Sequence, residues 1–236
     1  MVSDPSTGHF QELTSDIPAE THLVLSNDAS LLACVNSWFE TGIYRISENI
    51  GESPAEPIYA IDLGPTNGQS VTQHPNGGFL LGSTTGDLFL IDQSDMVANS
   101  ILKAPTWVHA MDPLLDGGMA TGDHRGFIYR FDEEGTMLWE SELPWTAIRK
   151  LAQHPDEMRL ATLSANGDVH IIDLEDGAVL CRLGEVPGMP AGLEFNAEGT
   201  ELLAWSRQGF TKRWRTQPRE DIVVPAERSK DDQTVK

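Results

Sequence analysis

Glycines recur at a nearly constant interval along this chain, and this recurrence limits its fold more than any other sequence feature. The intervals are 40, 41 and 42 residues between Gly86, Gly126, Gly167 and Gly209. Prolines form a second register in phase with the first, with intervals of 40, 39 and 43 residues between Pro65, Pro105, Pro144 and Pro187. Two registers with one period indicate an internal repeat, in which each unit is one supersecondary element.

Five segments of the chain align on these registers. They begin at Leu25, Gln73, Met111, Gln153 and Phe195, and the second reads QHPNGGFLLGSTTGDLFLID. Short apolar runs with turn residues about every 8 to 12 positions are typical of antiparallel strands. Four such strands in a unit of about 40 residues is the count of a propeller blade. The sequence therefore predicts an all-β fold, a β-propeller of about five four-stranded antiparallel blades.

The register glycines and three regularly spaced aspartates have a predicted local role. Each glycine falls between the second and third strands of its unit, where a tight turn favours positive φ. The third strands end at intervals of 40 and 41 residues at Asp92, Asp132 and Asp173. We expect these carboxylates to accept backbone hydrogen bonds in the following turn. Both features are interpreted as structural.

The repeat resembles the WD repeat over about residues 21 to 216. The shared pattern is a turn, a small apolar strand, Ser or Thr, Gly, a further strand, and a hydrophobic residue followed by Asp. The Trp of the terminal dipeptide of that family is replaced by Ile91, Phe131 and Ile172, and Arg215 replaces the Asp after Trp214. The resemblance implies a disc whose loop face binds a protein or peptide, a scaffold rather than an enzyme.

One repeat has a second resemblance. The segment GFIYRFDEEGTMLWE is similar to a quinoprotein-type blade, whose docking residues would be Gly126, Asp132, Gly135 and Trp139. Some propellers of that kind are dehydrogenases and others are binding scaffolds. An enzyme or cofactor-binding domain of the PQQ type therefore remains an alternative function.

The repeat predicts the limits of the propeller and raises the question of ring closure. We expect an N-terminal segment over 1–20, the five blades over 21–226 and a disordered polar tail over 227–236. A latch strand could come from HFQEL, which starts at His9, or from DIVVP, which starts at Asp221. We favour a monomer that closes its own ring, and a partial propeller that completes a ring with another chain is the alternative.

The charge of the chain excludes several classes of partner. Acidic residues outnumber basic residues 36 to 16, for a formal net charge of -20, so we expect neither nucleic acid nor anionic membrane as a partner. The N-terminus has no secretory signal pattern, and we expect a cytoplasmic protein. Two cysteines, Cys34 and Cys181, lie in apolar strand patterns and are expected to be buried free thiols.

The sequence predicts no catalytic, metal-binding or cofactor-binding residues. It has no Gly-x-Ser-x-Gly elbow, phosphate loop or dinucleotide fingerprint, and its seven histidines form no pair at metal-ligand spacing. The dense polar group formed by Asp123, His124 and Arg125 has two interpretations, an exposed hairpin tip or a contact patch.

Large aromatic residues concentrate in loops that propellers place on one face, around the channel mouth. Trp107 and Trp145 follow register prolines, and Trp38 and Phe39 lie in the long turn NSWFETG. Trp and Arg are the residues that typically anchor partners. The predicted partner-binding residues are Trp38, Phe39, Trp107, Arg125, Trp145 and Arg207. Packing of the tryptophans between blades remains the alternative.

Overall fold

The computed structural model describes ten stretches of the chain, and their regular structure is β-strand without a helix. The stretches are residues 2–3, 10–11, 22–26, 28–35, 41–45, 57–61, 63, 66–75, 77–144 and 146–216. Among these residues there is accordingly no helix long and apolar enough to cross a membrane.

Five small antiparallel sheets form the blades, and the strands of each sheet pair in chain order. Blade 1 contains β3 (His22–Leu25), β4 (Leu31–Val35), β5 (Thr41–Arg45) and β6 (Pro57–Ala60). Blade 2 contains β7 (Gly68–Gln73), β8 (Phe79–Ser83), β9 (Asp87–Ile91) and β10 (Ala98–Lys103). Blade 3 contains β11 (Ala110–Pro113), β12 (Met119–Gly122), β13 (Phe127–Phe131) and β14 (Met137–Glu142).

The last two blades follow the same order. Blade 4 contains β15 (Ile148–Gln153), β16 (Arg159–Ser164), β17 (Asp168–Asp173) and β18 (Val179–Glu185). Blade 5 has three strands within the described residues, β19 (Pro190–Phe195), β20 (Glu201–Ser206) and β21 (Thr211–Arg215). The prediction of an all-β propeller with five blades is confirmed.

The structure describes part of one candidate latch segment and none of the other. Phe10–Gln11 (β2), the described part of HFQEL, pairs with Val2–Ser3 (β1) in a separate two-stranded ladder. DIVVP and the tail over 227–236 lie outside the described residues. The expected limits of the N-terminal segment (1–20), the blades (21–226) and the tail (227–236) stay predictions.

Apolar side chains on both faces of each sheet hold neighbouring blades together. Every residue of β8 is buried. Phe79 and Leu81 belong to an apolar cluster that includes Val35 of blade 1. Leu80, between them, packs with Phe131 of blade 3. Burial on both faces explains why these strands read as continuous apolar runs, and each fully buried side chain of this size contributes about 1.5–3 kcal/mol.

The register glycines hold the loops that connect one blade to the next. Gly86, Gly126 and Gly167 have φ of 91°, 103° and 89°, in turns between the second and third strands of their blades. Their carbonyl oxygens accept the N–H groups of Ala104, Leu143 and Val186 at 2.8, 3.0 and 2.8 Å. Because these donors start the loops that leave the outer strands, each glycine turn fixes a connecting loop.

The three regularly spaced aspartates have the predicted role. Asp92 Oδ1 accepts the N–H of Ser94 at 2.7 Å, and Asp132 Oδ1 accepts that of Thr136 at 2.7 Å. Asp173 Oδ1 accepts the N–H of Glu175 at 2.9 Å. These bonds close the turns that lead to the outer strands.

The two free cysteines differ in environment. Cys34 is buried in β4, as expected, and burial raises the pKa of its thiol to about 11. Cys181 is exposed on β18, so the expectation of a second buried thiol is wrong. The reason is that β18 is the outer strand of blade 4, where most side chains face solvent.

Substitution of two equivalent glycines tests the role of these turns. A methyl group at Gly167 would lie 2.2 Å from the carbonyl oxygen of Val186, whereas at Gly209 it would meet nothing within 4 Å among the described residues. Both positions have positive φ, which costs any alanine about 1–2 kcal/mol. We expect Gly167→Ala to lower the free energy of unfolding by about 1–3 kcal/mol more than Gly209→Ala, because overpacking adds to the backbone strain.

Chemical denaturation of the two variants and the wild type measures this difference. Equal losses in the two variants would contradict a role of Gly167 in holding the connecting loop.

Candidate functional site

Trp107 is an exposed aromatic residue on the loop between β10 and β11, with 46% of its surface accessible. Its ring stacks on that of His109, with 6.2 Å between centroids and 13° between planes. The ring of His124, from the turn between β12 and β13, lies 5.3 Å from it. Three rings from two loops therefore form one aromatic cluster, in which Trp107 and His124 are exposed and His109 is partly buried.

Backbone hydrogen bonds on either side of Trp107 fix its loop. The N–H of Val108 donates to Ser83 O at 3.1 Å, and the N–H of His109 donates to Gly122 O at 2.9 Å. Val108 itself is buried. Trp107 is therefore an exposed side chain on an ordered backbone segment.

Asp123 shapes the turn that carries His124 and Arg125. Its carboxylate is buried, and Oδ1 accepts the N–H groups of Arg125, Gly126 and Phe127 at 2.7, 2.9 and 2.9 Å. The guanidinium of Arg125 lies 5.2 Å from the centroid of the Phe127 ring, and its Nε is 3.4 Å from Asp123 Oδ2. Asp123 is thus structural, while His124 is exposed beside Trp107.

The predicted partner-binding residues are only partly within the described chain. Trp107 and Arg125 lie in neighbouring loops. Arg207 is exposed in the turn between β20 and β21, where its N–H donates to Met189 O at 2.8 Å. Trp38, Phe39 and Trp145 lie outside the described residues.

A small cavity of about 110 Å³ lies at the centre of the disc, between the inner strands of blades 1 to 4. Basic side chains line it, namely His22, His109, Arg149 and Lys150. Burial lowers the pKa values of His22 and Lys150, and the charge of Arg207, in the turn after β20 of blade 5, lowers them further. The mouth of the channel is thus positively charged in a strongly acidic protein.

Comparison with known proteins agrees with the observed fold. The chain matches no protein-family model. It is 28% identical over 124 residues to WD repeat-containing protein 55 from Pongo abelii, a match that covers 51% of this chain. The protein is a WD-repeat-like β-propeller. The matched region is 32% of the length of that relative, so the chain spans about a third of it.

Charge in the channel of this WD-repeat-like propeller depends on burial. Burial lowers the pKa of both His22 and His109 to about 4, and nearby cations add to the effect. At neutral pH both imidazoles are therefore uncharged. The pKa of Lys150 is also lowered, first by burial and then by Arg207 and Arg149.

Sequence reasoning did not find this cluster, although the repeat contains a signal for it. Lys150 occupies the position held by His22, Ser70, Ala110 and Gly192 in the inner strands of the other blades. Lys150 and His22 are basic where the other three blades have small residues, so both depart from the repeat. Such departures from a repeat pattern are expected at functional positions.

In the quinoprotein-like repeat, the Trp139 side chain packs blade 3 on blade 4. Trp139 Nε1 donates to Leu174 O of blade 4 at 2.9 Å, and the Trp139 ring covers Gly177, where a methyl group would lie 2.8 Å from it. Gly126 and Asp132 form the turns described above. Within the described ranges, no group of three His, Cys, Asp or Glu side chains is arranged to hold a metal ion.

Among the described residues that line the cavity, Asp112 is the one acidic residue. Burial raises its pKa to about 7, and the N–H of Gln153, which donates to Oδ2 at 2.6 Å, partly opposes this effect. The unfolded chain loses this proton near its ordinary pKa of 3.8. The folded propeller therefore loses stability from this group as the pH rises from about 4 to about 7.

Asp112→Asn tests this charge balance. The amide keeps an acceptor for Gln153 and never ionises, so the variant should melt close to the wild type at pH 4 and at a higher temperature at pH 8. Melting curves at the two pH values measure the difference, and the histidine contributions are common to both proteins. A constant offset at both pH values would argue against a raised pKa at Asp112.

Proposed function

We propose that this WD-repeat-like propeller is a non-catalytic scaffold that binds a protein or peptide through the loop face around its channel mouth. The observation that carries the proposal is Trp107, exposed beside His124 on a loop whose backbone is fixed on both sides. Trp and Arg supply a large share of interface energy. A side chain held in place before binding loses little conformational entropy when the partner arrives.

The resemblance to WD repeats supports a protein partner in general. The name of the related protein mentions its repeats but no partner. The comparison therefore does not identify a partner for this chain. Arg125 and Arg207 contribute cations to this face. We place Trp38, Phe39 and Trp145 in the same proposed site because their loop types belong to that face in propellers.

Trp107→Ala tests the proposal directly. We expect the dissociation constant for the partner to rise at least tenfold, about 1.4 kcal/mol, because truncation removes an exposed anchor. The melting temperature should stay close to that of the wild type. The partner is first isolated by crosslinking in the native cell, and its affinity is then measured with purified proteins by calorimetry.

Leu138→Ala is the matched control, since Leu138 is 51% exposed but lies on β14, the outer strand of blade 3. It should bind the partner as the wild type does. A sharp fall in melting temperature for Trp107→Ala, or equal binding by both variants, would refute the proposed face.

Completion of a ring with another chain is a second candidate function, favoured by one feature of blade 5. Leu203 is 40% exposed there, although its equivalent in blade 4, Ala161, is fully buried against blade 5. A further blade seated on this face would cover Leu203. Light scattering separates the candidates, because shared closure requires a stable dimer and the favoured scaffold is a monomer.

A further inference from the structure

The inner strand of blade 4 brings two adjacent basic residues into the channel. Residues next to each other in a regular strand point to opposite faces. The pairing of β15 with β16, however, shifts between Ile148 and Lys150, which makes Arg149 the extra residue of a β-bulge. Bulges re-aim side chains, and both Arg149 and Lys150 line the central cavity.

A third cation, Arg207, lies in the turn between β20 and β21 of blade 5. Burial is the main cause of the lowered pKa values of Lys150 and His22, and the charges of Arg207 and Arg149 lower both further. Asp112, whose pKa burial raises to about 7, is the acidic residue among the described residues that line this cavity. At neutral pH the three cations therefore outweigh the negative charge beside them, and their mutual repulsion raises the free energy of the empty propeller.

The histidine that blade 3 contributes to the cavity, His109, has unused hydrogen-bonding capacity. Both ring nitrogens of His109 are buried, and neither has a partner among the described residues. A buried polar atom without a partner costs free energy, and such atoms often mark a site for a missing ligand or ion. His109 can donate through one nitrogen while its ring stacks on Trp107.

We propose that this cavity binds a tetrahedral phosphate-class dianion, either free or as a phosphorylated side chain. Arginine forks and a lysine ammonium are the groups that bind phosphate oxygens. The two negative charges of a dianion neutralise more of the three positive charges than a single carboxylate does. The volume of about 110 Å³ accommodates one phosphate group.

Titration of the full-length protein with inorganic phosphate tests the site. Chloride keeps the ionic strength constant, and calorimetry and melting temperature report binding. We expect Lys150→Gln and Arg149→Gln each to weaken phosphate binding at least fivefold. Without phosphate, Lys150→Gln should melt no lower than the wild type, because the substitution removes repulsion between cations.

Lys103→Gln is the control, since Lys103 is exposed on the outer strand of blade 2 and pairs with Asp87 at 2.7 Å. It should bind phosphate as the wild type does. Phosphate also stabilises proteins without a site by exclusion from their surface. Equal stabilisation of the Lys150→Gln and Lys103→Gln variants, or no binding by calorimetry, would overturn the proposal.

A short peptide that contains phosphoserine separates the two sources of the anion. Tighter binding of the peptide than of inorganic phosphate assigns the site to a phosphorylated partner, and equal or weaker binding assigns it to the free ion. This inference goes beyond partner binding at the loop face. The phosphate titration needs no protein partner, so its failure would leave the Trp107 proposal standing, and the reverse also holds.

Discussion

The arrangement of this molecule depends on one hydrogen bond that recurs from blade to blade. A glycine carbonyl in the turn between the second and third strands accepts the N–H that starts the next connecting loop, at 2.8 to 3.0 Å in three blades. Positive φ and the absence of a side chain allow this close approach. Since the connecting loops carry residues such as Trp107 to the disc face, the bond that fixes the start of each connecting loop to its own blade also helps to fix the candidate site.

Packing between blades supplies the bulk of the stabilisation and leaves little freedom for the inner strands. Leu80 and Leu81 are both fully buried although they point to opposite faces of their sheet. The channel differs from this apolar packing because charged side chains line it. Arg149 and Lys150 line the central cavity of a strongly acidic protein, and the charge of Arg207 acts on the same Lys150 side chain. We infer that the channel and the aromatic loops form two adjoining recognition sites.

Much of this fold could be predicted because the repeat is local and periodic. Gly167, Asp173 and their equivalents act within a few residues of their own positions, so spacing alone reveals their role. The exposure of Cys181 could not be inferred in this way, because an outer strand has the same apolar pattern as an inner one. The channel cluster was missed because His22, Lys150 and Arg207 come from different blades, and only the arrangement of the blades around the channel brings them together.

Hydrogen exchange of the free protein tests the central claim, that glycine turns hold the connecting loops in a preformed face. The amides of Ala104, Leu143 and Val186 should exchange as slowly as those of the inner strand β15, because each is buried and donates a hydrogen bond that opens only when the connecting loop leaves the glycine turn of its blade. Exchange as fast as that of the exposed turn at Glu133 and Glu134 would contradict the account, since the loop face would then have no fixed structure before a partner binds.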